Sequence, residues 1–202
     1  KGHKIVIIDN LSRKGSLDNL NWLEKQHPIT HYKTNIQDEK AVKDVFRKEN
    51  TIGAVIHLAA QVAVTTSVSN PRDDFEINAL GTLNMLQAVR HFCPQAPFIN
   101  ASTNKVYGLL HNVKILEGLQ RYEIEKKRGI NESEPLDFHS PYGCSKGSAD
   151  QYVIDYARIY DLNTVSVRQS CIYGERQFGV EDQGWLAWFI IATVLGRKIS
   201  IY

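Results

Sequence analysis

The stretch Lys4-Ile5-Val6-Ile7-Ile8-Asp9 decides the fold. A β-branched run closed by a polar residue is the pattern of a strand buried on both faces of a parallel sheet. Downstream, a Ser/Gly/Asp loop leads to a helix expected around residues 20–26 and a short strand near residues 30–33. Asp38 then caps a helix that turns Ala41, Val42, Val45 and Phe46 inward. Residues 54–59 read as the next buried strand. Asn70-Pro71 followed by Asp73 and Asp74 starts a helix expected to reach about Phe92, with proline at the first helical position and acids in the first turn. A strand over 98–102, a helix opened by Ser140-Pro141 and reaching about Tyr160, and a strand over 164–168 complete the alternation. Such alternation implies right-handed crossovers and a doubly wound parallel sheet, an α/β fold whose ligands sit at the carboxyl ends of its strands.

The 202 residues divide into one to two domains. Hydrophobic residues at 43% and charged residues at 23% exclude disorder and low-complexity behaviour. A formal charge of +2 is too balanced for a nucleic-acid surface or a polybasic membrane anchor. Cys93, Cys144 and Cys171 form no Cys-x-x-Cys pair, so no metal site is expected, and a reducing, cytoplasmic compartment is the simpler reading. The apolar run over 185–195 is shorter than the roughly 20 residues of a membrane span and is expected to be a buried core helix. The acidic and basic residues of 123–128 are expected on a solvated loop. The chain opens on Lys1 without signal-peptide features, and a fragment is expected.

Asp9 ends its strand where a carboxylate would accept hydrogen bonds from an adenosine ribose. The glycine-rich phosphate loop lies about 20 residues before such an acid, which points upstream of Lys1. The first strand and that loop are therefore expected to be lacking from this chain, and Asp9 by itself is equally a turn residue. Tyr142 and Lys146 stand four apart just inside a helix, so both project from one face. An ammonium beside a phenol lowers its pKa and makes it a usable base. Alone, the pair more often reads as a packed ring beside a solvated cation. It is joined by Ala101-Ser102-Thr103-Asn104-Lys105-Val106-Tyr107-Gly108, which places hydroxyls at a strand's carboxyl end.

Through Asp9-Asn10, His57-Leu58-Ala59-Ala60, Asn78, the string from Thr103 to Gly108, and Tyr142 to Lys146, the sequence resembles the extended short-chain dehydrogenase/reductases that act as nucleotide-sugar epimerases and dehydratases. The resemblance implies an NAD-binding Rossmann domain over 1–170 and the start of a sugar-nucleotide region over 171–202. It implies Thr103, Tyr142 and Lys146 as the catalytic set. Thr103 would bridge the sugar oxygen and Tyr142, and Lys146 would bind the nicotinamide ribose. Asp9, Asn10, Ser12, Arg13, Asn35, Ile36, Leu58, Ala59, Ala60, Gln61, Asn78 and Ala101 would face the cofactor, with Asn35 standing where many relatives carry aspartate. Thr103, Asn104, Lys105 and Cys171 would face the substrate; for Cys171 a small buried cysteine is the plain alternative.

In the dehydratases of this family, Asp-Glu follows the threonine. Here Asn104 and Lys105 stand there, and an amide and an ammonium cannot do carboxylate acid–base work, so epimerisation is favoured. The string from Ser102 to Gly108, with Asp9 to Arg13, Ser170 to Gly174 and Glu181 to Trp185, is similar to the family's 2-epimerases of CDP-deoxyhexoses; Glu175 departs from the usual proline. C4 chemistry on a UDP sugar is the rival, and a noncatalytic dinucleotide-binding protein is the alternative of another class. Expected partners are a nucleotide sugar and a second copy of the chain, with neither nucleic acid nor membrane. The second copy is expected because helices 71–92 and 142–160 carry apolar residues on more than one face, for example Phe75, Leu83 and Leu86 against Ile77, Leu80 and Met85; burial of the second face under a C-terminal domain is the plain alternative.

Overall fold

The computed structural model describes residues 2–125 and 129–201. In chain order it runs β1 (Ile5–Ile8), α1 (Ser16–Glu24), β2 (Ile29–Tyr32), α2 (Glu39–Lys48), β3 (Val55–His57), α3 (Val64–Ser69) and α4 (Pro71–Phe75). A π-helical turn (Glu76–Leu80) leads into α5 (Gly81–Phe92) and β4 (Phe98–Thr103). Then come a 3-10 turn (Asn104–Tyr107), β5 (Ile115–Glu117), β6 (Tyr122–Ile124), α6 (Ser140–Tyr160), β7 (Thr164–Gln169) and α7 (Trp185–Val194).

The expected parallel α/β organisation is present, in two blocks. β1 pairs with β2, with Ile5 opposite Ile29, and the second sheet has the order β3-β4-β7, with Thr103 opposite Gln169. Every pairing in these blocks is parallel, so within each the carboxyl ends open on one edge. The antiparallel hairpin β5–β6 was not expected. It takes Glu123 and Ile124 out of the anticipated loop, whose residues 126–128 lie outside the described residues.

The core forms where sequence periodicity and burial agree. Asp38 accepts the Ala41 N–H at 3.0 Å and starts α2, whose Val42, Val45 and Phe46 are buried, while Arg47 and Lys48 complement the dipole at its end. Val42 and Phe46 share one cluster with Leu86 and Val89 of α5, Phe98 of β4 and Val153 of α6. Fully burying a side chain of this kind contributes on the order of 1.5–3 kcal/mol.

Several expectations are corrected. β1 and β3 are not buried on both faces: Ile5 and Ile56 are exposed, the latter by 64%. Val55, His57 and Phe98 are buried, whereas Ile56, Val165 and Val167 alternate onto an open face. The run over 185–195 is a helix, but Ile190, Val194 and Leu195 are exposed and Ala192 alone is buried within α7. The first helix begins at Ser16 instead of residue 20, after Gly15 in the left-handed conformation (φ 87°) that favours glycine.

The expected helix 71–92 is present with a change of pitch. Asn70 caps it through the Asp73 N–H, and the π turn interrupts it at Glu76–Leu80. That turn shifts the helical register, so Phe75 and Leu86 do not share a face: Phe75 is 54% exposed and Leu86 fully buried.

Candidate active site

Thr103 ends β4 and is buried, its hydroxyl accepting the Lys105 N–H at 3.2 Å and so starting the 3-10 turn. Pro141 in the first turn of α6 sets Tyr142 and Lys146 one turn apart. The Thr103 side chain stands beside the Tyr142 phenol, close enough to favour its ionised form. Lys146 Nζ donates to the carbonyl oxygen of Ala101 at 2.6 Å. The three residues expected to be catalytic therefore converge, two on one helix and one on the strand that the helix covers.

Burial dominates the electrostatics. It pushes Lys146 down to about 8, against the carboxylates of Asp150 and Asp74, which hold its proton on. It also pushes Tyr142 above the ordinary phenol value; the Thr103 side chain opposes the rise and Asp74 adds to it. The expected depression of the phenol by its lysine is thus not found. Burial outweighs the other influences on the phenol and raises it. Desolvation, with the nearby Lys146 charge, drives His57 down to about 3, so this buried ring is neutral; its Nε2 lies 3.0 Å from the Thr82 hydroxyl.

The donor set fits a dinucleotide. An ammonium has three donors and Lys146 places one on Ala101, leaving two for ribose hydroxyls. Asp9 follows β1 and accepts the Leu11 N–H at 2.6 Å, while Asn10 accepts the Ser12 N–H, so this turn with exposed Ser12 and Arg13 is self-bonded. Leu58 is exposed beyond β3, with the small Ala59 and Ala60 partly exposed beside it. The Gln61 N–H donates to Asn78 at 2.9 Å, which fixes the end of that segment.

Other expected residues are placed less simply. Asn35 is exposed and bonds Gln37 through both ends of its amide. The Ile36 side chain is buried in the core, where it lies against Gly81, and its carbonyl accepts from Asn84. Asn104 and Lys105 are exposed beside Thr103, and the Thr103 hydroxyl lies 3.4 Å from Asn104 Oδ1. Cys171 is exposed two residues beyond the partner of Thr103, which excludes the buried alternative.

Two buried carboxylates beside this site were missed. Asp150, one turn after Lys146, accepts from Ser102 and Ser166 at 2.7 Å each and from Arg168 Nη2 at 2.8 Å. Burial alone would raise Asp150, but these donors hold it below the ordinary carboxylate value. Arg168 also reaches the Tyr107 hydroxyl at 2.9 Å. Asp74 accepts from Gln61 Nε2 at 2.7 Å, Asn78 Nδ2 at 3.2 Å and the Ser145 hydroxyl at 2.5 Å. Its sequence signal was that of a first-turn acid, which says nothing of burial.

A parallel α/β sheet with a threonine, tyrosine and lysine converging at a strand end defines a site of the short-chain dehydrogenase/reductase type. The chain belongs to the family described as GDP-mannose 4,6 dehydratase, which it matches over residues 1–183. It is 50% identical to CDP-paratose 2-epimerase of Salmonella typhi over 190 residues, 94% of this chain and 56% of that protein. It is 31% identical to a putative UDP-glucose 4-epimerase of Methanocaldococcus jannaschii over 203 residues, 99% of this chain and 58% of the other. Among solved structures, the Thermotoga maritima UDP-glucose 4-epimerase with UDP-glucose superposes with a TM-score of 0.81 at 30% identity. The Thermus thermophilus enzyme in complex with NAD gives 0.80 at 28%; each covers all of this chain and 58% of the other. The chain thus spans a little over half the length of these relatives.

Proposed function

We propose that the protein is an NAD-dependent epimerase of a nucleotide sugar, inverting C2 of CDP-paratose and CDP-tyvelose. The observation that carries the reading is the convergence of Thr103, at the end of β4, with Tyr142 and Lys146, one turn apart on α6 and tied to that strand through Ala101. The half-identical relative supports the choice of sugar. The amide of Asn104 and the ammonium of Lys105 support epimerisation, since eliminating water needs a carboxylic acid and a carboxylate at those places.

Bound NAD would accept hydride from the sugar carbon and return it to the opposite face of the keto-sugar, with no net redox change. Tyr142 Oη takes the proton of the same carbon's hydroxyl and later gives it back, so proton and hydride balance. Thr103 holds the sugar oxygen against Tyr142. Lys146 would hold ribose hydroxyls with its two remaining donors. Asp9 would accept from the adenosine ribose, Leu58 to Gln61 would run along the phosphates, and Cys171 would stand on the sugar side. Residues 171–202 begin the sugar-nucleotide region. The cytoplasm as its compartment rests on the free Cys93, Cys144 and Cys171.

The test uses the full-length protein with NAD, mixed with CDP-tyvelose, CDP-paratose, UDP-galactose and UDP-glucose, following sugar-ring protons by NMR. Inversion at C2 of the CDP sugars is expected. Inversion at C4 of a UDP sugar keeps the residues and moves the substrate, and no inversion in any overturns the reading.

A further inference from the structure

Asp74 is 1% exposed, yet each of its described hydrogen bonds comes from a neutral donor. A buried carboxylate costs several kcal/mol of lost hydration, roughly, unless its oxygens are satisfied, so the convergence of three donors on it is what makes it tolerable. The donors come from three places. Gln61 ends the Leu58–Gln61 segment, Asn78 sits in the π turn, and Ser145 lies on α6 between Tyr142 and Lys146. The network closes on itself: Asn78 Nδ2 also donates to the Ser145 hydroxyl at 3.0 Å, and its Oδ1 receives the Gln61 N–H.

We propose that Asp74 is a positioning residue of the reaction centre, its carboxylate joining the cofactor-facing segment at Gln61 to the turn of α6 that carries Tyr142 and Lys146. The inference rests on the reading of this site as an NAD-dependent one. A carboxylate suits the task because it accepts at up to four positions, whereas an asparagine there would offer one acceptor oxygen and turn an amide donor toward other donors. Its charge also reaches both catalytic groups, favouring the protonated form of Tyr142 and of Lys146. Asp74 thereby adds to the effect of burial on the phenol and opposes its effect on the ammonium.

The test is Asp74→Asn in the full-length protein, read in two ways. The ultraviolet titration of Tyr142, taken without cofactor as the difference from Tyr142→Phe in each background, should move to lower pH. NAD should leave several-fold faster in a competition assay. An unmoved titration, or release at the wild-type rate, overturns the proposal. Should this variant fail to fold, Ser145→Ala cuts the α6 link and keeps the charge. It is expected to speed NAD release with the titration unmoved, and wild-type release there overturns the proposal equally. Neither readout uses a sugar, so the absence of epimerase activity would sink the proposed function alone. A wild-type protein that binds no NAD would sink the proposed function and leave the titration to decide on Asp74.

Discussion

Lys146 Nζ donates to the carbonyl oxygen of Ala101, two residues before Thr103, at 2.6 Å. The bond ties the helix bearing the proton-transfer group to the strand bearing its hydroxyl partner. It also explains how an ammonium survives at 5% exposure: one donor is satisfied by a peptide carbonyl, and two carboxylates lie near enough to favour its charge.

Tyr142→Phe keeps the ring and removes the proton. In the full-length enzyme, turnover is expected to fall by roughly 10²- to 10⁴-fold or more, with NAD affinity unchanged. Steady-state kinetics beside calorimetric NAD titration checks both halves. Turnover at the wild-type rate would remove Tyr142 from the chemistry.

Burial holds Lys146 at about 8 in the folded chain, against an ordinary 10.5. Between those values the unfolded chain keeps a proton that the folded chain has released, so stability from this residue rises with pH across that window and is least below it. Relative to Lys146→Met, the wild type should gain on the order of 3 kcal/mol from pH 7 to about 10.5. Urea unfolding at several pH values measures this, and a flat difference would mean an ordinary lysine.

Asp150 and Arg168 form an ion pair beneath α6, at 2.8 Å, with Asp150 fully buried. Asp150→Ala leaves a half-buried guanidinium without its partner and should cost about 3–5 kcal/mol in denaturant unfolding. Asp150→Leu combined with Arg168→Met should cost less than the sum of the single changes, because both buried charges leave together. Additive losses would show that the two groups are not coupled.

Phe75 of α4, Val68 of α3 and Tyr152 of α6 are exposed on helices that pack on one another. We expect a homodimer to cover this apolar surface. Native mass spectrometry of the full-length protein should show a dimer and, for Phe75→Glu, a monomer. A wild-type monomer would end the idea.

What could be read in the sequence was local. Asp38 with Val42, Val45 and Phe46, and Pro141 with Tyr142 and Lys146, each carry cap, period and chemistry within a few residues, and the structure keeps both. Asp74 and Asp150 could not be read as buried. Their environment is made by Ser145, 71 residues away, and by Ser102, 48 residues away. The hairpin β5–β6 was missed because each of its strands has three residues, too few for alternation to register, and Ile115 and Leu116 stay exposed. Tyr142 was misjudged electrostatically because spacing gives proximity to an ammonium but not the depth at which a phenol is buried.

The π turn has one more consequence. Asp74, Asn78, Thr82 and Leu86 are buried at intervals of four. In an α-helix of 3.6 residues per turn, each such step overshoots by about 40°, and the line would wander by about 120° in three steps. The wider turn at Glu76–Leu80 rotates less per residue and gives back part of that drift. One rod can then present carboxamide and carboxylate groups to the site at one end and aliphatic ones to the core at the other. Its tolerance for a change of length is therefore local: losing one residue within 76–80 would return the turn to α pitch and leave the two ends within about 20° of alignment, whereas losing one elsewhere along the rod would twist the core end away from the site end.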